Sequence, residues 1–453
     1  MLSENMRSNL VINIIFIASA MVLGWFLFNP SYSDPIEYLL MLVFFVLIAW
    51  IILVTFVPDQ KERSYLISVF LIALALRMLV SLLVHALLPP GYFAPDEPGT
   101  LMNGRMIAES WSGNAMPHSI HGGIYAIAGA VFYIFGYKPN ILFLLANFLG
   151  ALTALNAYFI TKRLFNEQSA RYSAMVVTIL PSLILWSSMP LKDIYSQFAI
   201  TSIIHLTLRI KEHFRISNLM LILVLIAFVG FIRGYLVIIV LMAIAATFIP
   251  VRKETFIRNA IIIAVFAMSF ALFFSSYEAK QVPNHGVKSG GTFQTLQQTR
   301  QGFYQGGSKI LGHINISNPI NALLYSPLLL AVFFLAPFPW QISGSILHNL
   351  ATAESLVWYY FFYYAIKAII RSFKEGNFDV MPVLVMIGVL SVAYALAISN
   401  IGAAYRFRAQ VSVLFLVFTG YGLYLRKQEH LKKYALHVEP NISSTYPTTP
   451  NKT

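Results

Sequence analysis

Apolar runs of about 20 residues, the length that crosses a bilayer core as a helix, recur along most of this chain, and they constrain its fold more than any other feature. Clear runs lie at 10–28, 36–57, 64–89, 139–161, 170–189, 193–210, 256–275, 346–370, 380–398 and 409–425. Each can cross once. Residues 216–249 are apolar over roughly 50 Å if wound as one helix, but Arg233-Gly234 interrupts the middle. Two short helices meeting at Arg233 fit better. Only 11% of the 453 residues are charged, against roughly 25% in a soluble domain. The fold class expected is therefore an all-α polytopic membrane protein, and a soluble enzyme is excluded.

Two further apolar runs, 120–136 and 319–337, are assigned by loop charge. If both spanned, Lys162-Arg163 and the Arg371, Lys374 cluster would fall on the side opposite the other cationic loops, against the positive-inside rule. Laid on the outer surface, they leave most of the 31 Lys and Arg residues inside. The expectation is about 12 transmembrane helices with both termini cytoplasmic, and juxtamembrane helices near 98–111, 120–136 and 319–337. The run at 10–28 is too long for a signal h-region and reads as a retained helix. Function is then sought in the two large outer loops, 90–138 and 276–345. Residues 426–453 read as a disordered cytoplasmic tail.

Without cysteine, disulfides, thiolate catalysis and Cys-ligated metals are excluded. The net charge of +13 is spread over short loops rather than gathered in a stripe, so topology explains it and nucleic acid is not an expected partner. His118, His121, His285, His313 and His348 show no metal-ligand spacing on a common helix.

The strongest local signal is Pro95-Asp96-Glu97-Pro98, two carboxylates held between prolines after the outer end of a membrane helix. Pro98 suits the start of a helix running toward Trp111, so the pair would stand at a positive helix N-terminus. A capping role on a wet loop accounts for it equally well. Asp193, preceded by Lys192, faces the same side. Arg105 and Glu109, four apart, read as a structural ion pair. Cations also gather outside against the topology rule: Lys192, Arg233, Lys280, Lys288, Arg300, Lys309, Arg406 and Arg408. An anionic partner such as a lipid phosphate is implied, since guanidinium forks bind phosphate oxygens two at a time. Arg77 lies deep in the 64–89 helix, where a lone charge costs at least about 2.5 kcal/mol; it needs a partner. Glu354 raises the same question. The Gly- and Gln-rich stretch 281–318 reads as a lid or a linker.

The order of these features resembles the GT-C class of membrane glycosyltransferases, close to bacterial relatives of the protein O-mannosyltransferases and aminoarabinose transferases, a glycosyltransferase family 39-like pattern. The matching pieces are Arg77 followed by Asp96-Glu97, the run 120–136 ending in Phe135-Gly136, the stretch Pro181 to Asp193, Arg233-Gly234-Tyr235, and the late set Asn400, Gly402, Tyr405, Arg406 and Arg408. They cover most of a catalytic domain at 64–425. The first 63 residues add two further helices. Pro98-Gly99 stands where the commoner pattern has a tyrosine or similar residue, which leaves the acceptor type open.

The resemblance implies a bacterial cytoplasmic (inner) membrane enzyme with an extracytoplasmic site. Its donor would be a polyprenyl-phosphate-linked sugar and its acceptor a glycan, lipid or protein of the envelope. Asp96 looks like the base, with Glu97 and Asp193 orienting it or holding a divalent cation, Mg or Mn. Lys192, Arg233, Arg406 and Arg408 look like donor-phosphate ligands, with Arg77, Tyr405 and Glu354 as further candidates. Two alternatives stay open: an O-antigen-type polymerase or ligase, and a non-enzymatic flippase of lipid-linked sugars.

Overall fold

The computed structural model describes residues 34–113, 122–248, 292–304, 308–341 and 345–442. The runs 10–28 and 256–275, with Lys280, Lys288, His118, His121 and His285, lie outside them. Fifteen α-helices make up the described residues: α1 (Pro35–Phe56), α2 (Gln60–Leu87), α3 (Asp96–Trp111), α4 (Gly123–Phe135), α5 (Pro139–Leu164), α6 (Glu167–Ile179), α7 (Pro181–Ser187), α8 (Lys192–Glu212), α9 (Ile216–Ile232), α10 (Tyr235–Phe248), α11 (Thr292–Phe303), α12 (Pro319–Leu335), α13 (Ile346–Lys374), α14 (Met381–Ala397) and α15 (Ile401–Ile442). No strand is assigned among them; one isolated bridge joins Lys309 to Asn400.

Helix starts follow local chemistry. Asp34, Asp59, Asn166 and Asn318 each accept a hydrogen bond from a backbone N–H of the first turn, and Pro35, Pro139, Pro181 and Pro319 stand just inside their helices, where a missing N–H costs nothing. Among the described residues, five helices are long and apolar enough to cross a membrane: α1, α2, α5, the stretch Phe378–Ala397 and Ile401–Lys433. A sixth counts if α6 and α7 form one span. Expected as a single run at 170–189, that pair is bent by 59°, because Pro181 bars the helical conformation from Leu180, which is extended. The final helix runs past residue 426 to Ile442; Arg426 to Lys433 are mostly good helix formers and carry the turn onward.

The core is built on α5. Most of its surface is buried, whereas α1 is largely exposed at the periphery. Helix α5 packs against α2, α6 and α8, and α15 packs against α6 and α13. These contacts are close because small residues line them. A Cβ on Gly420 of α15 would sit 2.4 Å from the backbone oxygen of Ser169. Gly420→Val is therefore expected to force α6 and α15 apart and cost about 1–3 kcal/mol, read as a lower melting midpoint in detergent. Gly388→Ala, which meets nothing within 4 Å, should leave the midpoint unchanged or raise it.

Helices α3, α4 and α12, expected at the surface, are short, although α9 and α10, at 17 and 14 residues, are no longer than α12. At 16, 13 and 17 residues the first three extend about 20–26 Å. Helices α9 and α10 break at Arg233-Gly234, as the sequence predicts.

Charged loops segregate to the two ends of the bundle. At one end Lys162 bonds both carboxylate oxygens of Glu62 at 2.7 Å, Arg163 pairs with Glu212, Lys211 pairs with Asp379 at 2.5 Å, and Asn377 reaches the carbonyl of Leu164. Lys162 and Arg163 belong to a loop that the charge rule above puts inside. The other end gathers the start of α3, the start of α8, the end of α9 and the start of α15.

A carboxylate–guanidinium candidate active site

Asp193 stands at the foot of α8, with its side chain 3% exposed. Arg233, carried back to the same end by the antiparallel α9, donates Nη2 to Asp193 Oδ1 at 2.9 Å. Arg406, in the first turns of α15, takes the other oxygen, with Nε at 2.8 Å and Nη2 at 2.6 Å. Gln410 donates to Oδ1 as well. The same Arg406 extends Nη1 to Asp96 Oδ2 at 2.9 Å. Asp96, Arg406, Asp193 and Arg233 thus form one chain of alternating charge. Its inner part is buried and its outer end is open, since the Asp96 side chain is 66% exposed.

Asp96 is positioned by backbone economy. Tyr92 N–H closes a turn onto Pro89 O, and Glu97 N–H closes another onto Ala94 O. Gly91 makes the reversal with φ +80°, where a Cβ would strike Pro98 at 2.9 Å. The carboxylate is then set at the first residue of α3. Lys192 lies beside the chain, 5.5 Å above the Tyr125 ring and within electrostatic reach of Asp96, Asp193, Arg233 and Arg406. Counting Lys192, three cations face two carboxylates, so the site has a positive surplus able to receive a phosphate. Phe407 flanks Arg233 and Arg406 at 5.2 and 5.8 Å, and Trp186 flanks Arg406 at 5.9 Å.

The remaining sequence candidates point elsewhere. Glu97 is buried and bonds His85 Nε2 at 2.5 Å, in a ring stack of His85 on Phe143. Arg408 is buried and donates to the carbonyls of Phe334 and Ala336 at 2.9 and 2.7 Å. Two residues along a helix turn a side chain by about 200°, which separates it from Arg406. Tyr405 donates to Glu354 at 2.7 Å, and Glu354 also accepts from the N–H and hydroxyl of Ser182, both at 2.6 Å. Arg77 bonds the Ala73 carbonyl at 2.9 Å and reaches Val177 at 3.4 Å; a Cβ on Gly150 would lie 2.6 Å from its Nε. Two carbonyls thus take its Nη groups, while its buried Nε has no hydrogen-bond partner among the described residues. Arg300 likewise binds the carbonyls of Leu396, Ile398 and Leu311, which anchors α11 to the end of α14. Arg105 and Glu109 pair at 2.7 Å.

Sequence reading missed Gln410 and Tyr394, and gave Tyr235 no role beyond the Arg233-Gly234-Tyr235 motif. Gln410 accepts from Tyr394 at 3.0 Å, and Arg233 Nη1 approaches Gln410 and Tyr235 at 3.4 Å. The i, i+4 spacing from Arg406 was the available signal for Gln410. The three carboxylates named as candidate metal ligands do not converge. Both oxygens of Asp193 are occupied by guanidinium and amide donors, and Glu97 is turned to His85. No group of three acidic or histidine side chains suited to a metal occurs among the described residues, so the donor set does not fit a divalent cation here.

No family model matches this chain, and no curated protein matches it. Solved structures do. It is similar to the oligosaccharyltransferase of Archaeoglobus fulgidus in complex with zinc and sulfate, at 17% identity and a TM-score of 0.51, covering 85% of this chain and 52% of that one. It is also similar to the same organism's oligosaccharyltransferase AglB in complex with an inhibitory peptide and a dolichol-phosphate, at 15% identity and a TM-score of 0.50, covering 87% and 53%. The chain has the GT-C fold. It spans about half the length of those proteins, and at this identity the likeness to them is one of fold. Within the GT-C fold observed here, the carboxylate–guanidinium chain occupies the end of the bundle where α3 and α4 pack.

Proposed function

We propose that this chain is a membrane glycosyltransferase that takes a sugar from a polyprenyl-phosphate donor and passes it, with inversion, to a hydroxyl of an envelope glycan, lipid or protein. The observation that carries this reading is the chain Asp96–Arg406–Asp193–Arg233, which sets an accessible carboxylate beside cations buried at one end of a GT-C bundle. The related fold of a protein solved with dolichol-phosphate supports a lipid-phosphate donor. The topology that goes with it has 12 spans, both termini in the cytoplasm and the site on the outer face of a bacterial inner membrane. Residues 64–425 form the catalytic part, and two helices precede it.

Asp96 accepts the proton of the incoming hydroxyl, whose oxygen attacks the anomeric carbon. The bond from that carbon to the phosphate oxygen breaks, and the phosphate leaves with the electron pair. Lys192 and Arg233 bear its growing charge. Asp193 is a positioning residue that holds both guanidiniums, and Arg406 orients Asp96. Arg406→Lys keeps the charge but cannot bridge two carboxylates at once; turnover is expected to fall by about 10²-fold with the protein still folded, as measured by initial rates beside size-exclusion profiles.

The decisive experiment supplies purified protein with a panel of polyprenyl-phosphate sugars and a hydroxyl acceptor. Cleavage of the sugar–phosphate bond with release of the lipid phosphate is expected for at least one donor. Translocation of intact lipid-linked sugar in liposomes, without cleavage of any donor, would establish the flippase instead.

A further inference from the structure

A second charged site lies at the opposite end of the bundle. Helices α13 and α15 cross closely there, because Gly422 lets the chain approach the Tyr364 carbonyl; a Cβ would sit 2.3 Å from that oxygen. The two helices leave a groove of about 300 Å³. Lys367, Arg371, Lys374 and Arg426 line it, and Glu429 is the one carboxylate of its wall. Glu375, just outside, pairs with Arg371 at 2.6 Å and accepts from the Tyr421 hydroxyl at 2.7 Å. Four cations therefore face two carboxylates. Arg426 donates to the Tyr360 hydroxyl and lies 5.7 Å from both the Tyr360 and the Tyr364 ring, to one side of that pair, so its guanidinium is held in place at the rim.

We infer that this groove binds the phosphate headgroup of an anionic phospholipid. Two observations select a lipid over a soluble anion. The lining includes apolar Tyr364, Ile370 and Leu425, and exposed Tyr363 and Ile366 continue the apolar surface along α13 toward its N-terminal half, with Lys367 over the Tyr363 ring. A headgroup on the lysines would lay its acyl chains along that surface. The groove also sits at the right depth. Arg406 and Arg426 are twenty residues apart on α15, about 30 Å along the axis, which is the thickness of the hydrocarbon core. With the Asp96–Arg406–Asp193 chain at one membrane surface, the groove lies at the other, among the cationic loops. Basic pockets between membrane helices at that surface recognise anionic headgroups. The inference does not depend on the transferase reading.

Purified full-length protein in neutral detergent is titrated with phosphatidylglycerol, with phosphatidylcholine and with inorganic phosphate, reading the thermal midpoint. Phosphatidylglycerol should raise the midpoint saturably, while phosphatidylcholine and phosphate should not. The triple variant Lys367→Gln, Lys374→Gln, Arg426→Gln should lose that rise and keep the wild-type midpoint in phosphatidylcholine. If it melts early even there, the double variant Lys367→Gln, Lys374→Gln decides, and must raise the half-saturating phosphatidylglycerol concentration by about tenfold or more. Equal stabilisation by the two lipids, or a rise that survives the substitutions, overturns the site. Equal protection by phosphate alone would assign the groove to a soluble phosphate compound and overturn the lipid.

Discussion

Replacing Asp193 with alanine is expected to destabilise the protein by about 3–5 kcal/mol, because the change leaves the buried Arg233 without a counter-charge and Arg406 with only the exposed Asp96. Arg233 and Arg406 are only 8% and 13% exposed, so water cannot take over what the carboxylate supplied. Detergent-solubilised Asp193→Ala should melt well below the parent and lose protein to aggregation on purification. The double variant Asp193→Leu, Arg233→Met should recover part of that loss, since an apolar pair of similar size removes the uncompensated charge along with its partner. No recovery in the double variant, together with a mild effect of the single one, would mean that the buried ion pairs are not what holds α8, α9 and α15 together. Asp193→Asn should fall between, because the amide oxygen still accepts hydrogen bonds.

Asp96→Asn should behave in the opposite way. Its carboxylate is mostly exposed and has one ion pair, to Arg406, and exposed pairs contribute roughly 0–1 kcal/mol. The melting midpoint is expected to stay within the scatter of the parent. Turnover should drop by about 10²–10⁴-fold, the range associated with a positioned general base, because an amide cannot take the hydroxyl proton. Initial rates of sugar release from the responding donor, measured beside a melting curve, separate the two variants. Asp193→Ala loses stability and rate together, whereas Asp96→Asn loses rate alone. Unchanged turnover in Asp96→Asn removes it as base and leaves the proton without a named acceptor.

The contrast between these two acids shows how far a linear reading reaches. Asp96, Asp193, Lys192, Arg233 and Arg406 each stood out as a polar residue at a helix end, where charge is expensive to place without purpose. Their neighbours Glu97 and Arg408 carried the same signal and went elsewhere. Adjacent residues on a helix diverge by about 100° and alternate ones by about 200°. Glu97 therefore turns inward to His85, and Arg408 faces the carbonyls that end α12. Arg77 and Glu354 were legible as residues in need of partners. That the partners would be the Ala73 carbonyl for one and Ser182 with Tyr405 for the other was not, since a carbonyl has no signature in sequence and Ser182 lies 172 positions from Glu354.

Hydropathy determined what this chain can be: apolar helices long enough for a bilayer, with a break at Arg233. These follow from the solvation of backbone and charge, which each segment meets alone. The tertiary structure decided which polar groups share a point. Arg406 meets Asp96 across 310 positions and Asp193 across 213, and contacts of that span depend on how antiparallel helices are stacked, a property that no single segment contains.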